Sequence, residues 1–429
     1  MKYRLYTATA VMAAASIAIA GCGSTSPDNN ASKASASDKV KLVFWQHSYA
    51  ARDSVVKELA AKFQQKYPNV TIDMQFIPWD QYFSKLVTGL QSGTGPDVFQ
   101  VPQSMSEQLI NAKAIAPVPD SVLDTKTIEE QYVPGPIARW KNNGKYYGLP
   151  TDVESVLLFA NADLLKKCGG DPSNLPKTWD ELHSLAAKCT VRDTSGAITQ
   201  AGLDTRYKWA IYTQAMYSTD GNTIYDSKQC KVNLNTPESQ AAWKTATSFA
   251  SGPTSADSPA FLTGQKKFEN GKAVFYINHP VTIGTLKQFP AINYTVGQAP
   301  TADGQQKSLV DSWAYVVNAK AQKADWAWKW DYFLTDESAQ RTWFTETGSL
   351  PAVTKLLTDP SLATDQKAKT VLASLDGSRQ VETVTQKADD ITDGTWDKIV
   401  TGGSAVDSAL GSAKSDIDKL MAETLHCGS

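Results

Sequence analysis

The chain has 429 residues, with 42 basic against 44 acidic side chains and a formal net charge of −2. This near-balance, with no basic run anywhere, makes nucleic acid a poor partner. Once the N-terminal leader is set aside, roughly 390 residues remain, too many for one typical core, so two lobes are expected. The 12 Trp and 16 Tyr could mostly be absorbed by cores of that size, and their number is only a mild pointer to sugar binding.

Lys2 and Arg4 precede an almost uncharged run rich in Ala, Val and Ile over 5–20, which closes on Ile19-Ala20-Gly21-Cys22. That order is a secretory signal with small residues at its cleavage site, and the run is too short to span a bilayer. The tetrapeptide resembles a bacterial lipobox, in which the Cys22 thiol is acylated and becomes the new N-terminus. Residues 1–21 are then a signal peptide and 22–38 a lipidated flexible tether, too poor in apolar side chains to fold. The anchor would be lipid alone, on the outer face of the cell membrane.

Residues 40–45 form a short β-rich run. A helix follows over 52–67, where Val55, Val56, Leu59, Ala60 and Phe63 recur at helical spacing until Pro68 stops it. Residues 70–77 alternate as a strand, Pro78-Trp79-Asp80 opens a second helix, and Gly93-Thr-Gly-Pro-Asp97 turns into a strand at 98–101. This is the pattern of an α/β layer with a mostly parallel sheet. A second α/β region begins after Pro150, with a buried strand at 155–160, a short helix at 161–167 and a longer one at 178–189. Thr178 and Glu181 there have capping-box spacing. Further strands fall at 271–278 and 309–318, followed by a Trp-rich helix at 325–334 and a mainly helical C-terminal stretch.

Besides Cys22, the chain carries Cys168, Cys189, Cys230 and Cys427, an even number that in an exported protein points to disulfides with three possible connectivities. Cys168 closes the short helix and Cys189 ends the longer one, so the loop between them can fold back and join them. Cys230 and Cys427 would then pair by elimination. The four His residues (His47, His183, His279 and His426) are scattered and no CxxC or HxxxH spacing occurs. Neither a metal site nor a cofactor is expected.

In order along the chain stand Lys-Leu-Val-Phe-Trp45, Phe63-Gln-Gln-Lys-Tyr-Pro-Asn-Val70, Gly93-Thr-Gly-Pro-Asp-Val98, Tyr147-Gly-Leu-Pro150 and Leu157-Leu-Phe-Ala-Asn161. After them come Pro176-Lys-Thr-Trp-Asp-Glu-Leu182, Phe268-Glu-Asn-Gly-Lys-Ala273, Phe333-Leu-Thr-Asp-Glu337 and Thr347-Gly-Ser-Leu-Pro351. Taken together, these segments resemble the extracellular solute-binding proteins of carbohydrate ABC importers, the group that includes maltose-binding protein. The resemblance implies a two-lobed, periplasmic-binding-protein-like α/β fold, each lobe a mostly parallel sheet flanked by helices, with ligand in the interlobe cleft. It implies a monomeric binding protein, not an enzyme, that delivers an oligosaccharide to the importer's permease subunits. Lobe 1 is expected to comprise 39–149 with 311–350, and lobe 2 to comprise 150–310 with 351–429. The chain would cross near 149–152, 309–311 and 348–351. Two positions depart from the maltose-binding pattern: Val281 stands where an aromatic might be expected, and Trp313 where the group often has a small or aliphatic residue. The particular sugar is therefore not carried over.

Sugar recognition needs flat aromatic faces and rigid hydrogen-bonding groups at strand ends, because buried polar groups left unpaired are costly. Gln46, His47 and Tyr49 follow the first strand, Gln103 and Ser104 the third, and Trp79 begins a helix. Asn278 and His279 end a strand, while Asp311 and Trp313 lie on the returning one. From the resemblance come Glu154, as an acidic contact, and Trp209, Tyr212 and Tyr217, as aromatic contacts. Trp396 is a further candidate from the last helical region. The bland alternative for each aromatic is core packing. Rival functions are a binding protein for a polyamine, phosphate ester or peptide, and more remotely an exported glycosidase. No GxSxG elbow supports an esterase-like enzyme.

Overall fold

The structure is a computed structural model that describes residues 39–424 apart from 221–222, 227–228 and 383–384. Cys22, the leader, the tether up to residue 38, and Cys427 lie outside the described residues.

The first sheet begins as expected. Strands β1 (Val40–His47), β2 (Val70–Ile77) and β3 (Val98–Pro102) pair in parallel in the order β2-β1-β3. The connections are α1 (Ala50–Lys66) and α2 (Trp79–Ser92), which turn apolar faces onto the sheet. Asp53, in the first turn of α1, accepts hydrogen bonds from Gln46 Nε2 (2.9 Å), Ser48 Oγ (2.8 Å) and the Tyr49 amide (3.1 Å). One buried carboxylate thus fixes the loop that carries the first candidate residues. Strand β4 (Leu149–Ser155) follows, and β5 (Leu157–Asn161) starts after only Val156.

The second sheet is built from β5, β6 (Val191–Arg192), β7 (Ile198–Asp204), β8 (Ala273–Asn278) and β9 (Tyr294–Gln298), in the order β9-β5-β8-β7-β6. Here the expectation of a mostly parallel sheet is corrected. Only β7 and β8 pair in parallel, whereas β5 runs antiparallel to both β8 and β9, and β6 antiparallel to β7. Strand β5 is entered directly from the first lobe, so its direction is set by that crossing. A parallel neighbour would have needed a long crossover connection, and β7 to β8 is the link that has one.

Strand β10 (Leu309–Val317) returns to the first sheet antiparallel to β3 and β4, and β11 (Arg379–Gln380) adds parallel to β10. Pairing therefore keeps 149–155 in the first sheet, past the expected boundary at 149/150. At the other end, the helix Thr354–Leu357 still packs on the first-lobe helix Thr125–Gln131, whereas the helix Gln366–Ala373 packs on β9. The chain thus passes to the second lobe after 357 rather than near 348–351, returns for β11, and passes once more before the helix Gln386–Val400.

On the second sheet pack α3 (Ala162–Lys167), α4 (Trp179–Cys189) and α5 (Lys208–Asp220), and α6 (Pro237–Ser248) packs on α5. Thr178 and Glu181 close the capping box at the start of α4. Cys168 and Cys189 are disulfide-bonded. Their sequence separation of 21 gives the cross-link about 3 kcal/mol by loop entropy. Cys230 is also a disulfide cysteine.

Helix α7 (Thr282–Leu286), which leaves β8, packs against α1 and against α9 (Glu337–Thr347), the successor of α8 (Ala324–Thr335). The approach needs a glycine, because a Cβ on Gly284 would lie 2.8 Å from the Thr347 Cα. The C-terminal pair α10 (Gln386–Val400) and α11 (Val406–Thr424) packs on α6 and completes the second lobe.

Candidate functional site

The carboxyl ends of β1 and β3 face the end of β8 and the start of α5 across a cavity of about 510 Å³. Such a crevice at strand ends is where open α/β sheets bind ligands, and the volume lies in the usual small-molecule range of about 300–1,000 Å³.

The first lobe supplies an aromatic shelf. The His47 ring lies 4.7 Å from Trp313 and 5.2 Å from Trp79, while Trp79 also meets Phe83 edge-on at 5.2 Å. Trp79 is 51 % exposed, unusual for so large an apolar ring and consistent with a rim position. Opposite it the second lobe sets Tyr207, Trp209 and His279, with centroid separations of 5.4–6.0 Å. His279 Nδ1 bonds the Ser155 carbonyl (2.8 Å), which can only accept, so Nδ1 carries the proton. Its Nε2 then accepts from the Tyr207 hydroxyl (2.8 Å). Burial lowers the His279 pKa to about 4, and burial followed by the Arg52 charge lowers that of His47 to about 3. Both rings are neutral at physiological pH and act as apolar, hydrogen-bonding surfaces.

Beneath the shelf lies a buried charge cluster. Arg52 Nη1 contacts Asp152 at 2.6 Å and Glu154 at 3.4 Å. Burial pushes Asp152 up, but the Arg52 charge and hydrogen bonds from Arg52 and Thr151 outweigh it and hold Asp152 below the usual range. Glu154 is driven well above its usual range by burial and then by Asp152. Across the interface the Tyr49 hydroxyl bonds Thr285 Oγ1 of α7.

Of the residues singled out from sequence, His47, Tyr49, Trp79, Ser104 and Glu154 line the cavity from the first lobe together with Asp311 and Trp313. Trp209, Asn278 and His279 line it from the second. Five do not. Gln46 is buried behind the wall, donating to Asp53 and accepting from Tyr315 Oη (2.8 Å). Gln103 is buried likewise, donating to the Val381 carbonyl (3.1 Å) and accepting from Ser312. Tyr212 stacks on Trp243 at 4.6 Å in the second-lobe core, Tyr217 packs with Leu309 and Val381, and Trp396 joins that second-lobe core. These three rings pack as buried aromatics and do not line the cavity. Val281 does line the cavity.

Sequence reasoning passed over Arg52, Arg206, Tyr207 and Lys208, and the α10 side chains Gln386, Asp389, Asp390 and Asp393. Arg52 carried a signal, since it sits three residues before Val55 on the apolar face of α1, where a charge needs a partner. The α10 aspartates lie in the stretch read only as mainly helical.

Two lobes joined by β4 and β10 around a cleft lined from both sides define a protein that captures a solute between its lobes. Residues 58–370 match the model of the bacterial extracellular solute-binding protein family, and the chain belongs to that family. The galactooligosaccharide-binding protein of Bacillus subtilis (strain 168) is 25% identical over 379 residues, 84% of this chain and 83% of that protein. An sn-glycerol-3-phosphate-binding periplasmic protein of Shigella dysenteriae serotype 1 is 23% identical over 340 residues, 74% of this chain and 75% of that protein. Among solved structures, an ABC substrate-binding protein of Listeria monocytogenes in complex with cycloalternan superposes with a TM-score of 0.80 at 22% identity, covering 90% of this chain and all of that one.

Proposed function

We propose that this protein binds an oligosaccharide outside the membrane and delivers it to the permease of an ABC importer. One observation carries the reading: two aromatic shelves face each other across a cleft whose walls are otherwise hydrogen-bonding groups. Rings on both sides suit the apolar faces of pyranose units, and the polar groups suit their hydroxyls. The galactooligosaccharide-binding relative supports it. The glycerol-phosphate-binding relative keeps a phosphate ester as the second reading. Against that, the three cations on the cleft wall already contact protein carboxylates, whereas phosphate sites present cations to the ligand. Against a glycosidase, Asp152 is fully buried behind the wall, bound to Arg52.

A thermal-shift panel of mono-, di- and trisaccharides tests the proposal. A ligand at a hundred times its Kd should add about 2.7 kcal/mol of stability. If no saccharide moves the transition and glycerol 3-phosphate does, the sugar reading fails.

The proposal includes a lipid anchor at Cys22, a Cys230–Cys427 disulfide and a monomeric state. Non-reducing peptide mapping of membrane-extracted protein is expected to yield an acylated peptide starting at Cys22 and a Cys230–Cys427 cross-linked peptide. An unmodified Cys22 or a free Cys427 thiol would remove the corresponding element.

A further inference from the structure

The cleft is more acidic than neutral-sugar capture requires. Glu154, Asp311, Asp389, Asp390 and Asp393 line it, against Arg52, Arg206 and Lys208. Each of those cations is already engaged. Arg206 holds both Glu269 oxygens at 3.1 and 3.0 Å, and Lys208 holds both Asp397 oxygens at 2.9 and 2.8 Å. Arg52 is held by Asp152. Among the described residues no cation comes within ion-pair distance of Asp311, Asp389 or Asp390, although the Arg139 charge is felt at Asp311. Asp389 and Asp393 stand four residues apart on one face of α10, and Asp389 lies close enough to Asp311 to feel its charge.

A second observation is independent of this cluster. Glu154 is 2 % exposed, lies on the cavity wall, and its Oε2 has no hydrogen-bond partner. His279 Nδ1, 4.0 Å away, spends its proton on the Ser155 carbonyl. A buried polar atom facing a cavity without a partner is a place for a hydrogen-bonding group of a ligand. Among the described residues no group of three or more His, Cys, Asp or Glu could hold a metal ion.

We infer that the solute is an oligosaccharide bearing a protonated amine, with its ammonium group seated against Asp311 and Asp389, the two wall carboxylates that stand close enough to feel one another. This rests on the sugar reading and narrows it. The aromatic shelves hold the rings while these two carboxylates select the charge. Burial pushes Asp311 to about 7 and, with the Asp311 charge, Asp389 well above its usual range, so carboxylates at this wall gain from an arriving cation.

Isothermal titration with matched probes tests this: glucosamine oligomers of two and three units, their N-acetylated counterparts, cello-oligosaccharides of equal length, and spermidine. The amine-bearing sugars should bind at least about tenfold more tightly than the acetylated and hydroxyl counterparts, and raising the salt concentration should weaken them selectively. Asp389→Asn should bring the amine-to-neutral affinity ratio close to one, with Asp311→Asn as a second variant should the first fold poorly. Equal binding of amine and neutral sugars overturns the inference and leaves the oligosaccharide reading standing. An amine preference that survives both substitutions overturns the assigned carboxylates. Spermidine binding without any saccharide binding overturns both readings, and binding of none of the probes overturns the inference.

Discussion

Arg52→Met is expected to cost about 3–5 kcal/mol of stability at pH 7. Methionine keeps the volume and apolar stem of arginine but leaves Asp152, which is fully buried, without its counter-charge. The partners are spread over the fold, with Arg52 on α1 and Asp152 and Glu154 on β4, the strand that leads to the second lobe. Arg52 also lies 5.3 Å from the Trp343 ring of α9. Loss of the guanidinium therefore loosens the helix, the crossing strand and the cavity floor together.

The pH dependence of that loss separates charge from packing. In the parent protein the Asp152 pKa is depressed, so its contribution is present above the unfolded value and lost only as pH falls through the lower folded value. Without Arg52, burial is opposed only by hydrogen bonds from Glu154 and Thr151, and the folded pKa is expected to rise above the unfolded one, so the penalty is greatest at neutral and alkaline pH. The Tm gap between Arg52→Met and the parent should narrow steadily from about pH 8 towards pH 4. A gap that stays constant across that range would assign the loss to packing instead.

What could be read from the sequence, and what could not, follows the same physics. The β1 to β3 half of the first sheet was legible because its helices and β2 have apolar periods, which reveal burial on one side, and because a Gly/Pro turn marks the start of the fully buried β3. Strand β4 gave no such signal: all seven of its residues are buried, so neither period nor polarity told its core face from its cleft face. The antiparallel order of the second sheet was hidden because strand direction depends on how the chain enters, not on side-chain pattern. In the site, several residues at or just past strand ends lie on the cavity wall, as with His47, Ser104 and His279. Gln46 and Gln103 failed for a reason of reach, since each ends a strand but turns back to brace the wall through hydrogen bonds. The α10 aspartates follow only β11, a strand of two residues too short to show a period, and the tertiary fold brings them to the cleft.

Trp313→Ala is expected to lower oligosaccharide affinity by at least about tenfold, or 1.4 kcal/mol, while leaving the apo Tm nearly unchanged. Trp313 sits where the β4–β10 register shifts, a break that swings a side chain out of the regular alternation. Its neighbours Ala314, Tyr315 and Val316 are fully buried, whereas the Trp313 ring is only half-buried and lines the cavity beside His47 and Trp79. Were it a core residue, its removal should instead cost about 3–5 kcal/mol of stability. Trp396→Ala supplies that contrast, because Trp396 is 3% exposed within the second-lobe core and should lose stability first. The imidazole beneath the shelf gives a readout independent of ligand. His47 is held at about 3 mainly by burial, and stripping the indole from its face lets water in, so its titration followed by NMR should move up towards 6.5. A Trp313→Ala protein that binds sugar as tightly as the parent, melts several degrees earlier and keeps His47 neutral down to acid pH would place Trp313 in the core and remove it from the sugar platform.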